Sequence, residues 1–151
     1  MRQERTGIDL ETSLGYQLKE ASSALRSAME AVLRPLGMNI THYSCLELLE
    51  QRPGLSNSDL ARGAFVSRQS MNVLLLSLER DGLVSRPEKA ATGRVLPVQL
   101  TAKGRNQLKA ASAAVKSVED RMRSRFDSAQ EEQLRALLAG CVAALSDGEI
   151  R

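Results

Sequence analysis

Apolar residues recur every three or four positions through most of this chain. From Asp9 to Arg34 the repeat is Leu10, Leu14, Leu18, Ala21, Leu25, Ala28, Met29, Val32 and Leu33. This spacing predicts a long amphipathic helix, which Pro35 and Gly37 then stop. Thr41 is placed to cap a second helix running to Glu50, with Tyr43, Leu46 and Leu49 along one side. Arg52-Pro53-Gly54 reads as a turn. Ser56 and Asp59 then form a capping-box pattern ahead of Leu60, Ala61 and Ala64, and Gly63 to Val66 reads as a turn. Ser67 is placed to cap the next helix, whose Met71, Leu74, Leu75 and Leu78 share one face. The opposite face carries Gln69, Asn72, Val73, Leu76 and Arg80, with Arg68 and Ser70 on its flanks.

Asp81-Gly82 ends that helix, since glycine suits the left-handed cap. The period then changes. Leu83 to Arg86 reads as a strand, Pro87 to Gly93 as a polar loop, and Val95 to Leu100 as a returning strand. Pro97 lacks a ladder donor and so predicts an edge position. Thr101 starts another long helix, with Leu108, Ala111, Val115, Val118, Met122 and Phe126 close to a heptad seam. Asp127-Ser128 breaks it, and Ser128 with Glu131 reads as a second capping box. The last helix carries Leu134, Leu137, Leu138, Cys141, Val142 and Leu145, and ends near Asp147-Gly148.

Two short helices joined by a tight turn, then a two-stranded ribbon, make a winged helix-turn-helix over Ser56 to Leu100. The expected fold is mostly α with a small β-wing: a winged helix-turn-helix flanked by N- and C-terminal dimerisation helices. Residues 37–100 form the expected DNA-binding region, and residues 1–36 with 101–151 the helical dimerisation region, all in one compact chain. The terminal stripes are longer than one small winged domain can cover. The simplest partner for them is the same pair of helices in a second copy. The alternative is a monomeric bundle in which the terminal helices fold back on the core.

Charge sharpens this picture. The net charge of +3 is modest, but Leu55 to Arg105 holds eight basic residues against four acidic ones, while the rest has 13 against 14. Positive charge therefore concentrates on the segment that would meet phosphate. Gln and Asn at the front of such a helix suit adenine edges, and Arg suits guanine or phosphate. Ser67, Arg68, Gln69, Ser70 and Asn72 are the expected contacts to bases and nearby phosphates. Arg94, helped by Lys89 and Arg86, is expected to hold the backbone or enter the minor groove.

These residues also carry a resemblance. Leu60-Ala61, then Leu78-Glu79-Arg80-Asp81-Gly82-Leu83-Val84-Ser85-Arg86, then Gly93-Arg94, then Leu100-Thr101-Ala102-Lys103-Gly104, resemble the MarR family of bacterial transcription regulators. Three positions depart from the family pattern: Thr92 where an acidic residue is usual, Val73 where a basic one is frequent, and Pro97 in the returning strand. The resemblance implies a homodimer that binds double-stranded DNA at an inverted repeat, usually as a repressor. It also implies a cleft between the dimer helices and the winged domain that takes a small, often anionic aromatic effector. Arg26, Arg34, His42 and Tyr43 are the candidates to line that cleft.

Other chemistry has little support. There is one histidine, and no P-loop, serine elbow or HExxH motif. His42 and Cys45 lie three apart on one predicted helix, but nothing marks an oxyanion site or an orienting group. No enzymatic activity, cofactor or metal site is expected. Two cysteines do not make a disulfide framework, and both lie in apolar helical patterns. Some members of the family sense oxidants through a cysteine near the start of the first helix, and this chain has none there. No apolar run approaches a bilayer span and no export signal follows Met1, so a cytoplasmic protein without a membrane partner is expected. Two other functions stay open. Leu76 and Val73 on the outward face would suit a winged-helix protein-interaction module, and an architectural binder would take DNA without regard to sequence.

Overall fold

In the computed structural model, residues 6–86 and 97–146 are described. Six α-helices and one two-stranded sheet follow in order among them: α1 Leu14–Leu33, α2 Ile40–Gln51, α3 Asn57–Gly63, α4 Arg68–Arg80, β1 Val84–Ser85, β2 Gln99–Leu100, α5 Ala102–Arg123 and α6 Ser128–Ser146. A 3₁₀ turn, Arg34–Leu36, extends α1. The strands pair antiparallel, with Val84 opposite Leu100 and Ser85 opposite Gln99. The mostly α architecture with a small sheet is the one the periodicity predicts. The expected loop from Pro87 to Gly93, with Lys89, Thr92, Arg94 and the start of the returning strand, lies outside the described residues.

The chain divides into two compact units, Met1–Val115 and Lys116–Arg151, with α5 crossing the boundary. The first unit holds the main core. Leu33, Cys45, Leu46, Leu60, Met71, Leu75 and Leu78 are almost wholly buried there, joined by Val84, Val98, Leu100, Leu108 and Ala111. The core is aliphatic, as a chain with 3% aromatic residues must be. In the second unit, α6 contributes no buried residue.

Helix ends follow side-chain capping, and this moves several predicted boundaries. Ser13 caps α1 by accepting from the Tyr16 amide at 3.2 Å, so the helix starts at Leu14 rather than Asp9. Asn39, not Thr41, caps α2, accepting from the His42 amide at 2.8 Å. The Ser56–Asp59 capping box forms as expected. The second capping box is shifted by one residue. Asp127 accepts from the Gln130 amide at 2.8 Å, and the Gln130 side chain accepts from the Asp127 amide at 3.0 Å. Glu131 instead pairs with Arg123 at 2.7 Å. Both registers satisfy the sequence pattern, and the ion pair takes Glu131 out of one of them.

Three helices in the first unit end in the same device, a Schellman motif. After the 3₁₀ turn, the Gly37 amide donates to Arg34 and the Met38 amide to Leu33. After α4, the Gly82 amide donates to Glu79 and the Leu83 amide to Leu78. After α3, the Phe65 amide donates to Arg62 and the Val66 amide to Ala61. The central residue is left-handed each time, with φ of 71° at Gly37, 77° at Gly82 and 59° at Phe65.

The start of α5 is riveted to the end of α4. Thr101 Oγ1 donates to the Gly82 carbonyl at 2.6 Å and accepts from the Gly104 amide at 3.0 Å. Lys103 Nζ donates to the Asp81 carbonyl at 2.9 Å. A side chain at position 104 would meet the Leu83 carbonyl oxygen at 2.0 Å, so the Leu-Thr-x-x-Gly pattern records a close backbone approach.

Candidate nucleic-acid interface

Helices α3 and α4 form the helix-turn-helix. Met71, Leu74, Leu75 and Leu78 seat α4 in the core, which turns its other face to solvent. Arg68, Gln69, Ser70, Asn72, Val73, Leu76 and Arg80 are all exposed. Four of the five predicted α4-side contacts thus share the front of one helix, with Ser67 just before it. The Ser67 hydroxyl accepts from the Ser70 amide at 3.1 Å and meets the Ser70 hydroxyl at 3.0 Å. Both hydroxyls therefore serve the cap, which leaves Arg68, Gln69 and Asn72 as the long polar side chains facing outward.

Asn72 is held in place by a residue that sequence reasoning missed. Asn57 Nδ2, at the start of α3, donates to Asn72 Oδ1 at 2.8 Å. Arg68 Nη1 reaches Ser58 Oγ at 3.5 Å across the same gap. The signal was present as an Asn-Ser pair opening α3, but only the crossing of the two helices brings it to α4. Arg86 is exposed at the foot of the wing, beside a cleft lined by Gly54, Leu55, Ser56, Asn57, Pro97 and Val98. Lys89 and Arg94 lie outside the described residues.

The four candidate effector residues lie on α1 (Arg26), in the 3₁₀ turn (Arg34) and on α2 (His42 and Tyr43). His42 faces a small hollow with Met38, Leu78, Asp81, Lys103 and Gln107. Burial lowers its pKa below the ordinary histidine value, with the Asp81 carboxylate acting the other way. Tyr43, the next residue, turns to another face with Glu47, Gln51 and Arg52. There Glu47 is held below the usual carboxylate range. Burial raises it, but hydrogen bonds from Ser112, Gln51 and Tyr43 outweigh that. Arg26 is exposed and pairs with Glu30 at 3.6 Å. Arg34 is exposed in the 3₁₀ turn.

Cys45 is fully buried, and burial pushes its thiol up to about 12. Thiolate is the reactive form, so Cys45 is expected to resist alkylation by iodoacetamide at mildly alkaline pH. Mass spectrometry of native protein should find Cys45 unmodified, and the same protein in urea should show it labelled. Labelling of Cys45 in the native state would show that the core opens readily there.

No helix among the described residues is long and apolar enough to cross a membrane. Comparison with known proteins places these features in context. The model of the MarR family matches residues 36–94. The chain is 39% identical over 132 residues to the HTH-type transcriptional repressor Rv2887 of Mycobacterium tuberculosis, covering 87% of this chain and 95% of that protein. The crystal structure of Rv2887 with DNA superposes with a TM-score of 0.70 at 38% identity, over 86% of this chain and 98% of that one. Its complex with salicylic acid gives 0.72 at 39% identity, over 86% and 96%. The repressor CouR, of Rhodococcus jostii, bound to a 23-mer DNA duplex gives 0.78 at 26% identity, over 93% and 99%.

Proposed function

Because the chain belongs to the MarR family, we propose that it is a DNA-binding transcriptional repressor, acting as a cytoplasmic homodimer on an inverted-repeat operator and released by a small effector. The observation that carries this reading is the front of α4. Arg68, Gln69 and Asn72 stand exposed on a capped, core-anchored helix, with Asn72 braced by Asn57. Rigid placement of a few donors and acceptors is what base readout in the major groove needs. Ser67 and Ser70 sit at the same helix end, suited to phosphate, while Arg86, Lys89 and Arg94 supply positive charge on the wing.

On this reading residues 37–100 read DNA, while residues 1–36 and 101–151 pair two chains. A twofold dimer sets its two recognition helices about 34–36 Å apart, one turn of duplex. An effector bound near Arg26, Arg34, His42 or Tyr43 would act by changing that distance, since the operator holds it constant. A small anionic aromatic compound is the expected class, in keeping with the salicylic acid complex of Rv2887. The curated relatives are regulators, and no catalytic role is assigned to this chain.

The test is selection of bound duplexes from a random pool, then titration of the best one at two salt concentrations. An inverted repeat bound by two chains is the expected result. Enrichment of nothing, with strong salt-dependent binding, would favour an architectural binder instead. The exposed Val73 and Leu76 favour one other reading, a protein-interaction module, and negligible affinity for duplex at low salt would select it.

Two variants separate positioning from reading. Arg94→Ala is expected to weaken binding to all sequences alike and to reduce the salt slope by about 1 per wing. Gln69→Ala is expected to relax preference at particular base pairs, by about 1–3 kcal/mol of discrimination, with little change in salt slope. An Arg94→Ala protein with unchanged affinity and slope would remove the wing from the interface.

A further inference from the structure

Phe65 stands out among the described residues on two independent counts. It is the one non-glycine residue there with positive φ, at 59°, and its side chain is 93% exposed. Each is unfavourable by itself. The left-handed conformation sets Cβ against the following carbonyl, so the middle of a Schellman motif is normally glycine. An aromatic ring in water forgoes the burial that makes aromatics favourable. The same motif closes two neighbouring elements with Gly37 and Gly82, so the fold itself has no need of a ring at this position. Val66, the next residue, packs against the core and supplies the apolar contact the motif does use. Backbone strain and an exposed aromatic at one residue, both unneeded by the fold, point to a role outside it.

Its place in the fold says which role. Phe65 lies in the turn of the helix-turn-helix, two residues before Ser67, the N-cap of α4. The N-terminal residues of a recognition helix are those that reach base edges. A residue just ahead of them stands where the groove meets the sugar-phosphate strand. The neighbouring side chains, Arg68, Gln69 and Asn72, are polar and speak to phosphates and base edges. Apolar duplex surface at that border consists of thymine 5-methyl groups and deoxyribose.

We propose that Phe65 is a DNA-contact residue, its ring held in the turn's left-handed conformation so that it seats against apolar surface of the duplex at the mouth of the major groove. The proposal rests on the DNA-binding reading above. It adds a contact by burial to the polar ones, and it assigns the position ahead of the recognition helix a share in affinity.

The test uses the full-length chain and the duplex selected with it from a random pool. Phe65→Gly and Phe65→Asn both suit a left-handed residue, so each is expected to keep Tm or raise it by a few degrees. Each is also expected to weaken binding to the selected duplex by about tenfold or more. Opposite signs in the two measurements are what a purely structural role does not produce. Repeating the titration with deoxyuridine in place of thymidine separates the two kinds of surface. If wild-type affinity falls and the Phe65→Gly protein is indifferent, the ring sits on a methyl group. If neither protein responds while the variant stays weak, it sits on deoxyribose. Wild-type affinity in both variants would overturn the proposal, and so would a marked fall in Tm, which would show that the ring packs within the fold. Failure of the wild-type chain to select any duplex is a separate result, and would remove the DNA-binding reading before a variant is made.

Discussion

Gly104→Ala is expected to destabilise the first unit by about 3 kcal/mol or more, although alanine is the better helix former. The two effects can be weighed. Gly104 sits in the first turn of α5, where replacing glycine by alanine gains at most about 1 kcal/mol of helix propensity. Against that, the new Cβ would stand 2.0 Å from the Leu83 carbonyl oxygen and 3.0 Å from its carbon. These are backbone atoms, so no side-chain rotation relieves the overlap, and α5 must move off the sheet. Movement breaks the Thr101 bonds to Gly82 and Gly104, the Lys103 bond to Asp81, and the Thr101 amide bond to Leu83 at 3.1 Å. A loss of that size is a large fraction of a stability of roughly 5–15 kcal/mol. Urea denaturation followed by circular dichroism measures it. A midpoint equal to wild type would mean that the close approach of α5 to Leu83 does not exist. Gly63 is the internal comparison. There the added Cβ meets Leu48 Cδ1 at 2.9 Å, the end of a side chain that can rotate away, so Gly63→Ala should be far milder.

The second large effect concerns assembly. The double variant Leu137→Asp, Leu138→Asp is expected to leave the winged region folded while converting the protein to a monomer whose operator affinity is at least about 100-fold lower. Helix α6 runs for 19 residues with no buried side chain, yet carries Leu134, Leu137, Leu138, Val142 and Leu145 exposed. Such a stripe, exposed along a whole helix, marks an interaction surface. On the proposed dimer its occupant is the second chain, and two aspartates there would leave unpaired charge in an apolar interface. The effect on DNA follows from linkage. Once one reading head is bound, the second half-site is met at an effective concentration set by the dimer, and the avidity from this is about 10²–10⁴. Sedimentation gives the oligomeric state and titration gives the affinity. A variant that stays dimeric and binds as wild type would move the dimer surface away from α6. A variant that is monomeric but binds at full strength would show that one head suffices.

Much of the reading surface was legible because it is local. Helical spacing alone sets Met71, Leu74, Leu75 and Leu78 on one face of α4, and that face is the buried one. It follows from the same geometry that Arg68, Gln69 and Asn72 point outward. The Ser56–Asp59 cap and the left-handed Gly82 were legible for the same reason, since each involves residues within one turn. The resemblance to the MarR family rests on those short stretches, and the match over residues 36–94 agrees with it.

What failed or was absent from that reading depends on partners distant in sequence. The second capping box has two registers that fit the pattern equally. An ion pair from Arg123, eight residues before Glu131, selects Asp127–Gln130. Asn57 gains meaning only because α3 and α4 cross and bring it to Asn72, 15 residues on. Phe65 reads as an ordinary apolar residue in sequence. Its φ and exposure emerge only when α3 closes on a Schellman motif that Val66 anchors in the core.

By itself, then, the sequence determined the order and type of the elements, the buried and exposed faces of α4, and the polar residues that stand on its outward face. Periodicity, capping and turn chemistry act within a few residues and need no partner. Only the tertiary structure decided that Gly104 must lack a side chain, that Asn57 braces Asn72, and that Phe65 stands strained and exposed beside the reading helix. Each of those depends on which backbones approach within a few ångströms, and close packing settles that among elements far apart in the chain.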